Sequence, residues 1–263
     1  LESVWPKVKE FKESFMAFPP YAFVHRNLIQ WYASNEQKKA ATALLPYLAR
    51  EKFVHQRVDS RLAAVYTFVR RPAYYAAFNS GPLITSRQRL GLGLVWTPAG
   101  GAWLQSQSNS AADAWGTKAA GAENVYEAAT TPATFALDGR LVVPQVGARD
   151  LPDGTLIVSY PLGKAGRKTV RFDADRITVE VEHPGEFSEC LPLLTSAADW
   201  IDLADNRLLV RRGQSEFEIT LDGPKAKPTL TRTDTQVGPK RVTVLSVPGA
   251  RRLSYTLSIR QDP

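Results

Sequence analysis

The sequence predicts a mainly β protein: an antiparallel β-sandwich or supersandwich preceded by a short N-terminal helical segment. Three observations carry this. Apolar residues recur at three- and four-residue steps before residue 52 and at two-residue steps after it. Turn chemistry is spaced through the second part, at Pro98-Ala99-Gly100-Gly101, Asp138-Gly139, Pro152-Asp153-Gly154, Asp173-Ala174-Asp175 and Pro248-Gly249. No alternation of strand and helix patterns appears, which argues against a doubly wound sheet. The expected organisation is a helical segment over 1-52 and a sandwich over 53-263.

In the helical segment, Trp5, Val8, Phe11 and Phe15 mark an amphipathic helix that should end near Phe18-Pro19-Pro20. A second helix is expected from Tyr21 to Tyr32. Ser34-Asn35-Glu36-Gln37 reads as a capping box for a third, with Ala40, Leu44, Tyr47 and Leu48 on one face. Pro46 would kink or shorten it.

In the sandwich, Leu62, Ala64, Tyr66 and Phe68 alternate with other residues. So do Ile177, Val179 and Val181, then Phe217, Ile219 and Leu221, and finally Leu253, Tyr255, Leu257 and Ile259. Strands with one polar face belong in stacked antiparallel sheets. The stretch from Ser106 to Thr134, rich in Ala, Ser, Asn and Thr, is expected to be a long loop.

Gly91-Leu92-Gly93 raises a specific question, because glycine pairs after a strand can cradle phosphate. That use needs a third glycine and a following helix. Here Trp96 stands at the third position and a turn follows. Alternation instead points Leu90, Leu92, Leu94 and Trp96 to the core, with Gly91, Gly93 and Val95 forming a shallow ledge on the other side. Either a neighbouring side chain covers that ledge or a sugar ring lies on it. Trp96 and Trp103 should flank a hairpin turn.

Two segments concentrate polar and aromatic chemistry. In YAFVHRNLIQWY, Tyr21, His25 and Tyr32 share a helix face. Tyrosine and histidine supply a proton donor and acceptor, and Asn27 can neutralise a carboxylate. In VRRPAYYAAFNSGPLITSRQR, Arg70, Arg71, Tyr74, Tyr75, Asn79, Arg87, Gln88 and Arg89 fall close together. Arginines offer planar forks to carboxylate or sulfate, and tyrosines offer stacking platforms. The bland alternatives are aromatic packing and a strand edge with satisfied arginines.

Composition narrows the function classes. Lys and Arg outnumber Asp and Glu by 33 to 26, a net charge of +7 that suits a negatively charged partner. No nucleic-acid module accompanies the charge, so nucleic acid is not the expected partner. No apolar run is long enough for a membrane helix. Three histidines without metal-ligand spacing predict no metal, and no cofactor fingerprint is present. Cys190, in EFSECLPLL, reads as a buried structural thiol. Hydrolase elbow, P-loop and glycosidase carboxylate pair are all missing. Asp173, Asp175, Glu180 and Glu182 read as a turn and a solvated strand face.

A helical segment leading into a long β-domain, with YYAAFNSG ahead of QRLGLGLVWTP, then HPGEFSECLPLL and a closing LSYTLSIR, resembles the C-terminal region of heparinase II/III-like and related polysaccharide lyases. The resemblance is one of layout, without a diagnostic motif. It implies a sandwich joined to an (α/α) toroid and β-elimination at a uronic acid, with Tyr and His moving protons and Asn or Arg near the carboxylate. In that family most of these groups come from the toroid, for which this chain is too short. The chain opens on Leu1, so a processed product or a piece of a longer protein with a helical domain upstream is expected. The resemblance therefore implies a domain that binds or positions an acidic polysaccharide, through Arg70, Arg71, Asn79, Arg87, Gln88, Arg89, Trp96 and Trp103. Catalysis by this chain, through Tyr21, His25, Asn27, Tyr74 and Tyr75, is one alternative; a non-catalytic assembly role is the other. A periplasmic or secreted location follows from that substrate alone.

Overall fold

The computed structural model describes residues 51–83, 89–107, 112–129, 131–222 and 227–261. The expected helical segment lies outside them, as do Tyr21, His25, Asn27, Arg87 and Gln88. The described part is built of antiparallel strands, with one short 3-10 turn at Tyr126–Ala128. None of its helices is long and apolar enough to cross a membrane.

Seventeen strands follow in order. The first five are β1 (Phe53–Val58), β2 (Val65–Arg70), β3 (Tyr75–Ser80), β4 (Gly91–Thr97) and β5 (Gly101–Gln105). Next come β6 (Gly116–Ala119), β7 (Thr134–Leu137), β8 (Arg140–Val142) and β9 (Gly147–Leu151). They are followed by β10 (Leu156–Leu162), β11 (Gly166–Phe172), β12 (Arg176–Thr195) and β13 (Trp200–Ala204). The last are β14 (Arg207–Arg212), β15 (Ser215–Asp222), β16 (Thr229–Val237) and β17 (Lys240–Gln261).

Two long strands organise the body. β12 and β17 pair from Arg176↔Ser258 to Thr195↔Arg241, and the register slips between His183 and Glu186. Opposite the slip, Arg251 takes a left-handed φ of 66°. On the Arg176 side of this irregularity the pair sits within one sheet, ordered β8-β7-β10-β11-β12-β17-β15-β14-β13. On the Thr195 side the same two strands belong to another, ordered β9-β1-β2-β3-β4-β5-β12-β17-β16. β6 lies beside β12 over Phe187 to Cys190. A bulge bends a strand, and here it lets one strand pair serve two layers.

The layers meet face to face. Phe78 of β3 packs on Tyr160 and Phe172, with ring centroids 6.0 Å and 6.3 Å away. Trp103 of β5 stacks on Phe217 of β15 at 5.5 Å. Alternation explains which residues fill this interior. Ile177, Val179 and Val181, Phe217, Ile219 and Leu221, and Leu253, Tyr255, Leu257 and Ile259 are all buried. Each such apolar side chain contributes about 1.5–3 kcal/mol on burial. Cys190 is buried as a free thiol, and burial pushes it up to about 12, away from thiolate chemistry.

Three sequence expectations need correction. β4 is extended, but its inward phase changes along its length. Ala77 pairs with Leu94 and Phe78 with Leu92, so Gly93 is an extra residue. Leu92, Val95 and Thr97 therefore point inward, while Leu94 and Trp96 are half-exposed. In β2, Val65, Thr67 and Val69 are buried and Tyr66 and Phe68 face outward. The stretch expected as one loop from Ser106 holds β6 and the 3-10 turn.

Candidate functional site

The outer face of the β9-β1-β2-β3-β4 sheet carries four of the eight expected site residues that lie in the described part: Arg70, Tyr75, Asn79 and Trp96. Residues directly opposite in neighbouring strands share a face. One row runs Phe53, Arg70, Tyr75, Trp96. The next runs Asp150, His55, Phe68, Ala77, Leu94. A third brings Arg57, Tyr66 and Asn79 into line.

These side chains touch one another. The Arg70 guanidinium lies over the Trp96 ring, 5.6 Å from its centroid. Tyr75 stacks on Phe68 at 6.5 Å with 12° between the planes, and Phe68 in turn stacks on His55 at 6.2 Å. Burial raises the Tyr75 hydroxyl to about 12, so it is a proton donor near neutral pH. His55 Nδ1 meets Asp150 Oδ1 at 2.8 Å. A carboxylate there favours the proton on Nδ1 and makes Nε2 the acceptor nitrogen of the neutral ring. Histidine, carboxylate and tyrosine on one face are the chemical parts of an acid–base site.

Other picked residues serve the framework. Tyr74 is fully buried and donates its hydroxyl to the Asp173 carbonyl at 2.6 Å. Arg71 is 3% exposed and turns into the body, where it bonds Asp153 Oδ1 at 3.0 Å and the Gly154 carbonyl. Trp103 is 1% exposed, donates to Thr97 Oγ1 at 2.9 Å, and carries the Arg212 guanidinium 4.1 Å from its ring centroid. Asn79 donates to the Arg89 carbonyl at 2.9 Å, which fixes the approach to β4. Arg89 is half-buried; burial lowers its guanidinium and Asp113 opposes that effect.

The ledge at the glycines is closed on one side. A Cβ at Gly91 would meet Trp115 Cζ3 at 2.5 Å, whereas at Gly93 the nearest atom is the Ala77 carbonyl oxygen at 3.7 Å. Among the described residues, no three His, Cys, Asp or Glu side chains are grouped as a metal site.

Sequence inspection missed His55 and Asp150, which lie 95 residues apart in the chain. It also missed Tyr126 and His183, whose Oη and Nε2 are 2.9 Å apart. The glycines of the β10–β11 turn make room for that pair: a Cβ at Gly163 would be 3.1 Å from Tyr126, and one at Gly166 would be 3.0 Å from His183. Neither pair has a local sequence signal, because folding creates both.

No family model and no curated protein matches the sequence. Solved structures do. A heparinase III gene product aligns over 90% of this chain and 42% of its own, at 14% identity and a TM-score of 0.51. The likeness is one of fold. A mutant of the heparan sulfate lyase HepC from Pedobacter heparinus aligns over 79% of this chain and 36% of its own, at 12% identity and a TM-score of 0.47. The YeaD protein of Salmonella typhimurium aligns over 80% of this chain and 94% of its own, at 11% identity and a TM-score of 0.48. This chain thus spans about two fifths of the heparinase III it resembles.

Proposed function

We propose that the outer face of the β9-β1-β2-β3-β4 sheet binds an acidic polysaccharide. The observation that carries this is the row Arg70–Tyr75–Trp96, with the guanidinium held over the indole. Pyranose rings present apolar faces that stack on aromatic rings, and guanidinium forks bond carboxylate or sulfate. Arg57 and Tyr66 extend the same surface. The net charge of +7 favours encounter with a polyanion. A fold shared with a heparinase III supports the same substrate class. A secreted or periplasmic setting and a helical partner domain go with this reading.

Affinity electrophoresis through gels containing heparin, alginate or a neutral glucan tests it. Retardation by an acidic glycan that Trp96→Ala weakens is expected. Free migration in both acidic gels would overturn the proposal.

The His55–Asp150 pair favours a second reading, in which the face also eliminates across a uronide bond. His55 Nε2 would take the C5 proton and Tyr75 would protonate the leaving oxygen. Unsaturated products absorb in the ultraviolet. Absence of such absorbance across a panel of uronides would leave the binding reading alone in place. Tyr21, His25 and Asn27 are further candidates from the sequence. Tyr74 is not, because its hydroxyl is buried against Asp173.

A further inference from the structure

Alternation on β11 sends Lys168, Val170 and Phe172 inward, so a lysine enters the interior between the sheets. Its relative exposure is 0%, and it meets two carboxylates that are equally sealed, Glu127 at 1% and Glu189 at 0%. Lys168 Nζ lies 2.9 Å from Glu127 Oε1, touches Glu189 Oε1, and sits 3.8 Å from the centroid of the Trp115 ring. Neutral donors complete the cluster. Thr117 Oγ1 donates to Glu189 Oε2 at 2.7 Å and Tyr255 Oη donates to Glu189 Oε1 at 3.0 Å. Glu127 accepts from Tyr160 Oη at 2.8 Å and from the Thr117 N–H at 2.9 Å.

One ammonium thus faces two carboxylates, all three fully buried, and full ionisation is costly in such a setting. Burial raises the Glu189 carboxyl, and the charge of Glu127 adds to this against the opposing pull of Lys168. A low-polarity interior narrows the gap between an ion pair and an amine beside a carboxylic acid, because both charges lose their hydration. Amine and acid are the reagents for an amide. Two hydroxyl donors already point at the Glu189 oxygens, where charge would develop during addition to Cδ. Fixed proximity removes most of the entropic barrier to a bimolecular step.

We propose that Lys168 and Glu189 are the reacting pair of a self-formed amide cross-link, with Glu127 as the proton relay. Lys168 Nζ adds to Glu189 Cδ, and Glu127 takes a proton from nitrogen and delivers it to a departing carboxyl oxygen. The Nζ–Cδ bond forms, one Cδ–O bond breaks, and the oxygen leaves with two protons as water. Ammonium plus carboxylate become amide plus water, with no oxidant or co-reactant. The bond would join the sheet holding β11 to the half of β12 that lies in the other sheet.

Intact-mass spectrometry of the full chain tests this directly. The wild-type protein is expected one water lighter than its sequence mass, with the residue 168 and residue 189 peptides joined in the digest. E127Q keeps the size and one carbonyl acceptor but cannot relay, so it is expected at the full sequence mass. A wild-type chain at full sequence mass after prolonged incubation, with separate peptides, would overturn the proposal whether or not E127Q folds. A folded E127Q that still lacks the water would overturn the relay.

Discussion

Trp115 fills the space that a side chain at Gly91 would need, since a Cβ there would stand 2.5 Å from Trp115 Cζ3. The backbone at Gly91 also takes a φ of 77°, which L side chains rarely adopt. Gly91→Ala is therefore expected to cost about 2–4 kcal/mol, from overpacking and backbone strain together. Gly93→Ala meets only ordinary contacts and should cost less than about 1 kcal/mol. Urea midpoints of the two variants check the difference. Equal loss at both positions would contradict the packing account of this strand.

Trp96 and Trp103 look alike in the sequence but should behave differently. Trp103→Ala removes a ring stacked between Phe217 and Arg212, and a loss of about 3–5 kcal/mol is expected. Trp96→Ala should leave the melting temperature within a few degrees and lower glycan retardation instead. Thermal melts run beside affinity gels separate the two effects. A Trp96 variant with unchanged retardation would remove that ring from the binding face.

If guanidinium groups hold the glycan, binding must weaken with ionic strength, because screening shortens the reach of each charge. Arg57→Ala should lower retardation in acidic gels and flatten its dependence on salt. Migration in the neutral glucan should not change. A salt-independent interaction would point to stacking alone.

Asp199 gives the fold an acid-sensitive clamp. Its carboxylate accepts from Arg212 Nε at 3.0 Å and Nη2 at 2.8 Å, and the same guanidinium bonds the Gly100, Ala102 and Leu194 carbonyls. Burial pushes the carboxyl up, but the bonds from Arg212 and the Ser196 N–H outweigh it and hold it below the ordinary aspartate value. A depressed folded value means stability present above the unfolded value near 3.8 and lost as pH falls through the folded one. Asp199→Asn should flatten the acid limb of the stability curve and cost about 1–2 kcal/mol at neutral pH, allowing for solvent screening. An unchanged acid limb in chemical denaturation would contradict this assignment.

The His55–Asp150 contact has its own test. Asp150→Asn keeps a hydrogen-bonding partner but removes the carboxylate that fixes the proton on Nδ1. If the face eliminates uronides, this variant should lower the rate at which product absorbance grows. An unchanged rate would show that the carboxylate does not govern the ring.

The sequence by itself determined the antiparallel body and most of its interior. Ile177 to Val181, Phe217 to Leu221 and Leu253 to Ile259 follow a period of two, and a strand buried on one face needs nothing more to declare its inward side. It also marked Cys190 as buried. Tertiary structure alone decided the phase of β4, because an extra residue such as Gly93 is defined against the partner strand β3. It alone separated Trp96 from Trp103 and Tyr75 from Tyr74, since which neighbour turns outward depends on register. And it alone brought Asp150 to His55, and Glu127 and Glu189 to Lys168. Alternation is local physics and can be read along the chain; contacts across tens of residues exist only once the sheets have stacked.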